Sequence, residues 1–243
     1  QLRRFVPPDV LRFRQDWRGF DGRSFQVPEI FDFIDTYGDE YQNFALQLSF
    51  ATDSRNRVIF PDRGSLNQIS ADITVPGSDL EFYKLDYRHN SYLPLTDSLI
   101  LSFRGQLGYG DAYGDTDDFP FYENYFAGGL RTVRGFKSNT LGPQFSNGEP
   151  SGGSFKVVGG ADLIFPTPFF EDSQNVRLSA FFDVGNVFAT VSDFDAGDLR
   201  YSTGIQAIWL SPLGPLVFSI AEPLNTQDGD ETETFQFSVG VPF

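Results

Sequence analysis

Large apolar and polar residues alternate along most of this sequence, and this period of two limits the fold more than any other feature does. Leu101 and Phe103, for example, alternate with Ser102 and Arg104. Successive side chains of a β-strand point to opposite faces, so each alternating segment predicts a strand with one apolar and one polar face. We recognise nine such segments, near residues 44–51, 66–75, 82–91, 99–109, 155–165, 176–185, 200–210, 215–222 and 235–243. The sequence therefore predicts an all-β protein.

The last of these segments keeps the alternation up to the final residue. Its polar or small residues are Gln236, Ser238 and Gly240. They separate the apolar residues Phe235, Phe237, Val239, Val241 and Phe243. This pattern predicts a C-terminal strand whose large side chains share one face.

Two fold classes fit this alternation. A soluble β-sandwich or lipocalin-like barrel turns its apolar faces inward, whereas a transmembrane barrel turns them toward lipid and keeps its polar faces in a hydrated lumen. The polar faces here carry charges such as Lys84, Arg104, Asp162 and Asp183. Several segments approach the ~9 to 11 residues that a tilted strand needs to cross a bilayer, and aromatic residues cluster at segment ends like interfacial girdles. These features favour an antiparallel transmembrane β-barrel.

Composition excludes several classes of function. A formal net charge of -15 argues against a nucleic-acid partner, since phosphate binding needs clustered Lys and Arg. The chain has no Cys, and no segment has the spacing of a Ca²⁺ loop, so we expect no metal and no cofactor. No apolar run approaches the roughly 18 to 20 residues of a membrane-spanning helix. Met is absent as well, and we therefore expect a processed product or a piece of a longer protein.

The connections between the segments alternate in length. Those at 92–98, 166–175 and 211–214 are short, whereas residues 111–154 form a long acidic connection at the opposite ends of the strands. Short turns on one side and long loops on the other are typical of outer-membrane barrels. We predict that residues 42–243 form the barrel strands and that residues 111–154 form a loop directed into the lumen.

Residues 1–41 differ from the rest and are predicted to form an extracellular loop. Their short alternation at Leu11 and Phe13 leaves room for a strand remnant. A short helix near residues 28–37 is indicated, because Pro28 suits a first helical turn and the apolar residues after it recur with helical spacing. We expect this surface helix to lie against the outer rim of the barrel.

One long stretch resembles a known family. Residues 122–143, YENYFAGGLRTVRGFKSNTLGP, are similar to a loop of the BamA family of outer-membrane protein assembly factors, whose VRGF tetrad corresponds here to Val133, Arg134, Gly135 and Phe136. Further matches, in the family's order, are VPGSDLEFYKL (75–85), LIFPTPF (163–169), the F-x-D-x-G motif at Phe181, Asp183 and Gly185, and WLSPLGPLVFS (209–219). A tetrad alone would be a weak signal, but this series covers roughly the last two hundred residues.

The resemblance implies a fold, a location and partners. Members of the family have sixteen-stranded barrels preceded by periplasmic POTRA domains, so the segments here correspond to about the last nine strands, and we expect a C-terminal portion of such a protein. The location implied is the bacterial outer membrane. Because the last segment ends on the side of the short turns, which is the periplasmic side of such barrels, we expect a periplasmic C-terminus. The implied partners are outer-membrane lipid, nascent outer-membrane proteins and periplasmic assembly lipoproteins.

The resemblance also implies an activity, the folding and insertion of client barrel proteins. The family engages its clients at a seam between the first and last strands, and of these the chain has the last, near residues 235–243. We expect strand templating at this seam together with thinning of the bilayer. The alternative is a pore of the two-partner secretion or TamA-like type, related to FhaC, because these relatives share the loop motif.

Within the resembling stretch, Arg134 is the residue with the most specific expected role. A planar guanidinium binds a carboxylate through two hydrogen bonds and stacks on an aromatic ring. The resemblance places Arg134 against the barrel wall beside Phe181, Asp183 and Gly185, and Asp162 on the preceding strand is a second candidate acceptor. We predict that this arginine anchors the loop in the lumen.

The single His raises the question of catalysis. His89 and Ser91 share a strand face, as they do in barrel-type phospholipases. That face points to lipid, and the neighbouring segment at 99–109 offers no Asn or Asp to orient the imidazole. We therefore expect an interfacial histidine and no enzyme activity.

Overall fold

The computed structural model describes residues 4–5, 12–19, 27–166, 175–212 and 214–240, the first two ranges by their backbone alone. Within these ranges eleven strands form one sheet. The strands are β1 (Arg4–Phe5), β2 (Arg12–Gly19), β3 (Glu40–Asp53), β4 (Gly64–Thr74), β5 (Phe82–Pro94), β6 (Ile100–Ala112), β7 (Phe155–Phe165), β8 (Val176–Phe188), β9 (Arg200–Ser211), β10 (Gly214–Pro223) and β11 (Phe235–Val239). The α-helix of the described residues is α1 (Pro28–Tyr37).

The sheet is an antiparallel meander. From β3 to β11 every strand pairs with the next one along the chain. β1 and β2 both pair with β3, β2 along its first half and β1 near its end. The strands that the sequence predicts are β3 to β11, so the antiparallel all-β fold is confirmed. β2 is an eight-residue strand where the sequence indicated a remnant, and Leu11 lies outside the described residues.

The apolar rows of the strands form the outer face of the sheet. Leu85, Phe103, Ile205, Ile220 and Phe237 are exposed there, with exposed fractions of 45% to 57%. The opposite face carries the polar side chains. Apolar rows outside and polar rows inside are the arrangement of a transmembrane barrel and the reverse of the soluble alternative.

The sheet curves around one long loop. Asn43 of β3 donates a hydrogen bond to the hydroxyl of Tyr122 in this loop at 3.4 Å. At the other end of the sheet, Gln236 of β11 donates to the backbone carbonyl of Phe136 in the same loop at 2.8 Å. A single loop can contact strands so far apart in the sheet only if the sheet wraps around it.

Helix α1 packs against this loop. It begins at Pro28 and ends before Gly38, whose N–H donates to the carbonyl of Ile34 at 2.7 Å. Its buried Phe33 lies edge-on to Phe121 of the loop, with 5.4 Å between the ring centroids. Phe33 also packs with Tyr41 and Phe82, at the beginnings of β3 and β5. The helix therefore contacts both the loop and the strand ends at the rim, where the sequence placed it. Within the described ranges, no helix is long and apolar enough to cross a membrane.

Candidate functional site

The connection between β6 and β7, residues 113–154, lies on the inner face, and we call it the lumen loop. It contains no long strand or helix. Isolated backbone bridges within it join Tyr125 to Gly153 and Ala127 to Leu141. Hydrogen bonds within the lumen loop therefore order it, and they give its backbone N–H and C=O groups partners although the loop has no long strand or helix.

An apolar cluster holds the tip of the lumen loop. Val133, Phe136 and Leu141 of the loop pack with Val158 of β7 and Val187 of β8, and each is at most 3% exposed. Full burial of a large apolar side chain stabilises a fold by about 1.5–3 kcal/mol. Two members of the tetrad, Val133 and Phe136, thus fasten the loop by packing.

Arg134 lies between these two residues in the chain and reaches the barrel wall. Its Nε donates to Oδ2 of Asp183 at 2.7 Å and its Nη2 donates to Oδ1 at 2.8 Å, so the two groups form a bidentate pair. The backbone N–H of Arg134 donates to the same carboxylate at 3.1 Å. The exposed fraction is 2% for Arg134 and 0% for Asp183. A dry pair with this geometry is strongly directional and costly to break.

The rest of the Arg134 guanidinium is also used. Nη1 donates to Oδ1 of Asp162 at 2.9 Å and to Oε1 of Gln206 at 2.7 Å, and the guanidinium carbon lies 3.5 Å from the centre of the Phe181 ring. Burial by itself lowers the pKa of Arg134, but the hydrogen bonds and charges of Asp183 and Asp162 outweigh it and raise the pKa above its ordinary value. The side chain therefore stays charged and fixed.

The glycines of the two motifs, Gly135 in the tetrad and Gly185 in F-x-D-x-G, have different surroundings. Gly135 has a φ of +89°, and a Cβ there would lie 3.1 Å from Cβ of Ala221, so glycine suits this turn. Gly185 lies on the inner face of β8 next to β7, where a Cβ would lie 2.7 Å from the carbonyl oxygen of Val157. The structure thus brings Arg134 together with Phe181 and the two aspartates, whereas Gly185 lies against the neighbouring strand.

Sequence reasoning missed the second cation of the site. Arg104 of β6 also forms an ion pair with Asp183, and its Nη2 donates to the carbonyl of Thr132 in the lumen loop at 2.8 Å. β7 lies between β6 and β8, but its residue at this level is Gly160. A Cβ there would lie 2.5 Å from Nε of Arg104 and 2.7 Å from Oδ1 of Asp183. Because Gly160 has no side chain, Arg104 can reach Asp183 across β7. The sequence showed only that Arg104 and Asp183 share a face of the sheet, which does not predict this contact.

Tyr125 is a second anchor that the sequence did not reveal. Its ring centre lies 4.7 Å from Nζ of Lys84 and 5.2 Å from Nζ of Lys156, within the range of cation–π attraction. Burial and then the charge of Asp86 raise the pKa of Tyr125. The ring fits because β6 has Gly108 at this level, where a Cβ would lie 2.7 Å from a ring carbon. The lumen loop is therefore fastened at two levels of the wall.

The tip of the lumen loop also reaches the last strand. The side-chain oxygen of Gln236 accepts a hydrogen bond from the N–H of Gly135 at 3.3 Å, and its Nε2 donates to the carbonyl of Phe136. Just before β11, the N–H of Lys137 donates to the carbonyl of Glu231 at 2.9 Å. The loop is therefore paired with the chain that enters β11.

β11 ends the sheet. Phe235, Phe237 and Val239 are exposed on its outer face, while Val241 and Phe243 lie outside the described residues. In the part of the chain that the structure describes, β11 pairs with β10 alone. Its other edge is therefore the place where a further strand could add to this sheet.

The histidine has an orienting partner. Nδ1 of His89 lies 2.7 Å from Oδ1 of Asn67, and Nε2 lies 3.1 Å from Oγ of Ser91. Asn67 belongs to β4, which pairs with β5 on the side opposite β6. The segment at 99–109 supplies no Asn or Asp, as expected, but β4, on the other side of β5, supplies the amide that orients the imidazole.

Comparison with known proteins assigns the chain to a family. Residues 11–243 match the Omp85 superfamily domain. The chain belongs to the Omp85 superfamily. The matched range includes the lumen loop and every strand from β2 onward, so the resemblance that the VRGF stretch suggested is confirmed.

Relatives of this Omp85 chain include named assembly proteins. It is 37% identical over 220 residues to the outer membrane protein assembly factor BamA of Neisseria meningitidis serogroup B, which covers 79% of the chain and 27% of that protein. It is 28% identical over 222 residues to the sorting and assembly machinery component 50 homolog of Bos taurus, covering 82% and 45%. The crystal structure of BamA from Haemophilus ducreyi lacking POTRA domains 1-3 matches with a TM-score of 0.81 and 29% identity, covering 93% of the chain and 49% of that structure. The chain thus spans about a quarter to a half of the length of these relatives.

Proposed function

We propose that this Omp85 chain is part of a barrel that folds other β-barrel proteins and inserts them into the bacterial outer membrane. The observation that carries the proposal is the 37% identity to the meningococcal assembly factor over 79% of the chain. The exposed apolar rows of the outer face support a location in a membrane. The barrel acts on its clients without ATP or covalent catalysis.

The proposal includes an orientation and partners. Because short turns face the periplasm in outer-membrane barrels, the short connection between β9 and β10 lies on the periplasmic side, and β11 runs toward that side as well. The C-terminus is then periplasmic. The outer face contacts outer-membrane lipid, the clients are nascent outer-membrane proteins, and the full-length protein binds periplasmic assembly lipoproteins.

β11 is the strand that engages clients in this proposal. Its edge away from β10 presents backbone N–H and C=O groups that can pair with an incoming strand. Client strands add to this edge one after another until the new barrel closes. Thinning of the bilayer around the barrel lowers the barrier to their insertion.

A photo-crosslinking residue at Phe237 or Val239 of the full-length protein is expected to capture nascent barrel proteins, because a templated client strand lies beside β11. Ile205 is the matched control, since it is exposed on the same outer face but belongs to β9, two strands away. Equal capture at Ile205 and Phe237, or capture at neither, would contradict templating. Conductance of a secreted substrate in liposomes, without barrel insertion, would favour the secretion pore instead.

We also propose that the hydrogen-bonded row of Asn67, His89 and Ser91 is structural. Its members satisfy one another on a face where unpaired polar groups are costly. Ser91→Ala is therefore expected to leave client insertion unchanged. Purified protein incubated with phospholipid should show no release of fatty acid that depends on Ser91. Release that disappears in Ser91→Ala would instead identify a catalytic row.

A further inference from the structure

A cavity of about 470 Å³ lies on the inner face, between the tip of the lumen loop and the connection between β3 and β4, residues 54–63. Its walls extend from β4 to β10. Of the described residues that line it, one is acidic, Asp162. The arginines that line it are Arg55, Arg88, Arg104, Arg131, Arg134 and Arg177. We call this cavity the arginine chamber, and its positive charge contrasts with the net charge of -15 of the chain.

Half of these arginines are neutralised by neighbouring carboxylates. Arg104 and Arg134 share Asp183, and Arg134 also binds Asp162. Nη2 of Arg55 lies 2.8 Å from Oδ2 of Asp53. The arginines that form no ion pair with any described residue are Arg88, Arg131 and Arg177. The chamber lining therefore holds more arginines than carboxylates, and Arg88 also borders a smaller cavity that Asp72 and Asp86 line without forming an ion pair with it.

Arg177 shows this excess most clearly. It is partly buried on the inner face of β8, and its guanidinium carbon lies 4.6 Å from the centre of the Phe60 ring. Phe60 is 9% exposed and has a φ of +50°, which is uncommon for a bulky residue and holds the ring against the arginine. A ring stabilises a cation but does not neutralise it, so withdrawal of Arg177 from water still has a cost that an anion would offset.

We propose that the arginine chamber binds an anion whose charge is carried by phosphate groups. Guanidinium groups match phosphate oxygens through paired hydrogen bonds. Three unbalanced cations call for a ligand with two or more negative charges, which a phosphate monoester or a diphosphate has and a single carboxylate lacks. Asn90, Ser102 and Gln106 add neutral donors to the lining, and the volume lies in the ~300–1,000 Å³ range of small-molecule sites. This binding goes beyond barrel assembly and does not depend on it.

The test uses the full-length protein in a non-ionic detergent at low salt, with inorganic pyrophosphate as the probe and acetate as the singly charged comparison. Isothermal titration calorimetry should show pyrophosphate binding and much weaker acetate binding. Arg177→Gln and Arg88→Gln should each weaken pyrophosphate binding about tenfold or more, as the loss of one charge-assisted contact implies. Arg63→Gln is the matched control, because Arg63 belongs to the same connection as Phe60 but is 71% exposed and pairs with Asp62.

A check of folding separates a loss of pyrophosphate binding from a loss of structure. Heat-modifiability on gels shows whether each variant is folded. If Arg177→Gln does not fold, Arg88→Gln decides the question, since Arg88 is exposed and forms no ion pair in the described structure. No pyrophosphate binding, equal binding of acetate, or unchanged affinity in the folded arginine variants would each overturn the proposal.

The phosphate can come from a soluble compound or from a lipid headgroup, and a second arm separates these sources. The full-length protein is placed in phosphatidylcholine vesicles that contain a small fraction of fluorescent phosphatidic acid. Binding of this lipid that pyrophosphate displaces and Arg177→Gln abolishes would support the chamber with a lipid phosphate as its ligand. Pyrophosphate binding without bound phosphatidic acid would support it with a soluble ligand.

Discussion

Replacing Arg134 with Ala is expected to release the lumen loop from the inner face of the sheet. Asp183 then stays buried without its bidentate partner, and breaking a buried ion pair in this way costs about 3–5 kcal/mol. A loss of this size should make the loop open locally far more often. Limited proteolysis should therefore cleave the variant between residues 113 and 154 at a rate about ten times that of the parent or more.

Arg131→Ala is the matched control for this prediction. Arg131 lies three residues earlier in the same loop, is exposed, and forms no ion pair with a residue that the structure describes. Its removal should leave the protease resistance of the loop unchanged. Arg134→Lys should restore little, since Lys cannot form the bidentate pair or stack on Phe181 in the same way. Equal protease resistance of Arg134→Ala and the parent would count against an anchoring role.

Asp183→Ala should destabilise the protein more than Arg134→Ala does. One carboxylate serves both Arg134 and Arg104, so its removal leaves two neighbouring cations with Asp162 as their remaining ion-pair partner in the described structure. Like charges repel strongly where water is excluded. We expect the thermal transition of the folded barrel, followed by heat-modifiability, to fall further than in any single arginine variant.

Glu231→Ala provides the comparison for a pair that is not buried. Glu231 lies 2.6 Å from Nζ of Lys137 in the lumen loop, but the two side chains are 47% and 56% exposed. Exposed pairs contribute little to stability, so the transition should hardly move. An Asp183→Ala protein no less stable than Glu231→Ala would show that the buried network does not hold the loop. The double variant of Arg134 and Asp183 should lose less than the sum of the two single losses.

The strands and their two faces could be predicted because alternation is a local property of each strand. Arg104 and Asp183 were assigned to the inner face in this way, while Leu101 and Phe103 were assigned to the outer face. The course of the lumen loop could not be predicted from alternation, since residues 113–154 form no long strand or helix with a regular period. The resemblance of the VRGF stretch supplied Arg134 as the residue that meets the wall.

Contacts that depend on strand register could not be predicted. Arg104 reaches Asp183 because Gly160 lies between them, and Asn67 reaches His89 because these two residues are opposite each other in β4 and β5. A shift of two residues keeps a side chain on its face but moves it by roughly 6 to 7 Å along the strand. Such a shift leaves the sequence pattern unchanged and removes the contact.

The lumen loop is hydrogen-bonded to the beginning of β11, and this determines which end of the strand can separate from the sheet first. The N–H of Glu233 donates to the carbonyl of Gly135 at 2.8 Å, and Gln236 is bonded to the loop as well. Val239, near the other end, pairs with Leu216 of β10. Among the described residues, the bonds to the loop lie at the beginning of β11, so we expect its Val239 end to separate from β10 first while its beginning acts as a hinge. A strand that replaces β10 is then expected to pair with β11 first near Val239 and last near Gln236.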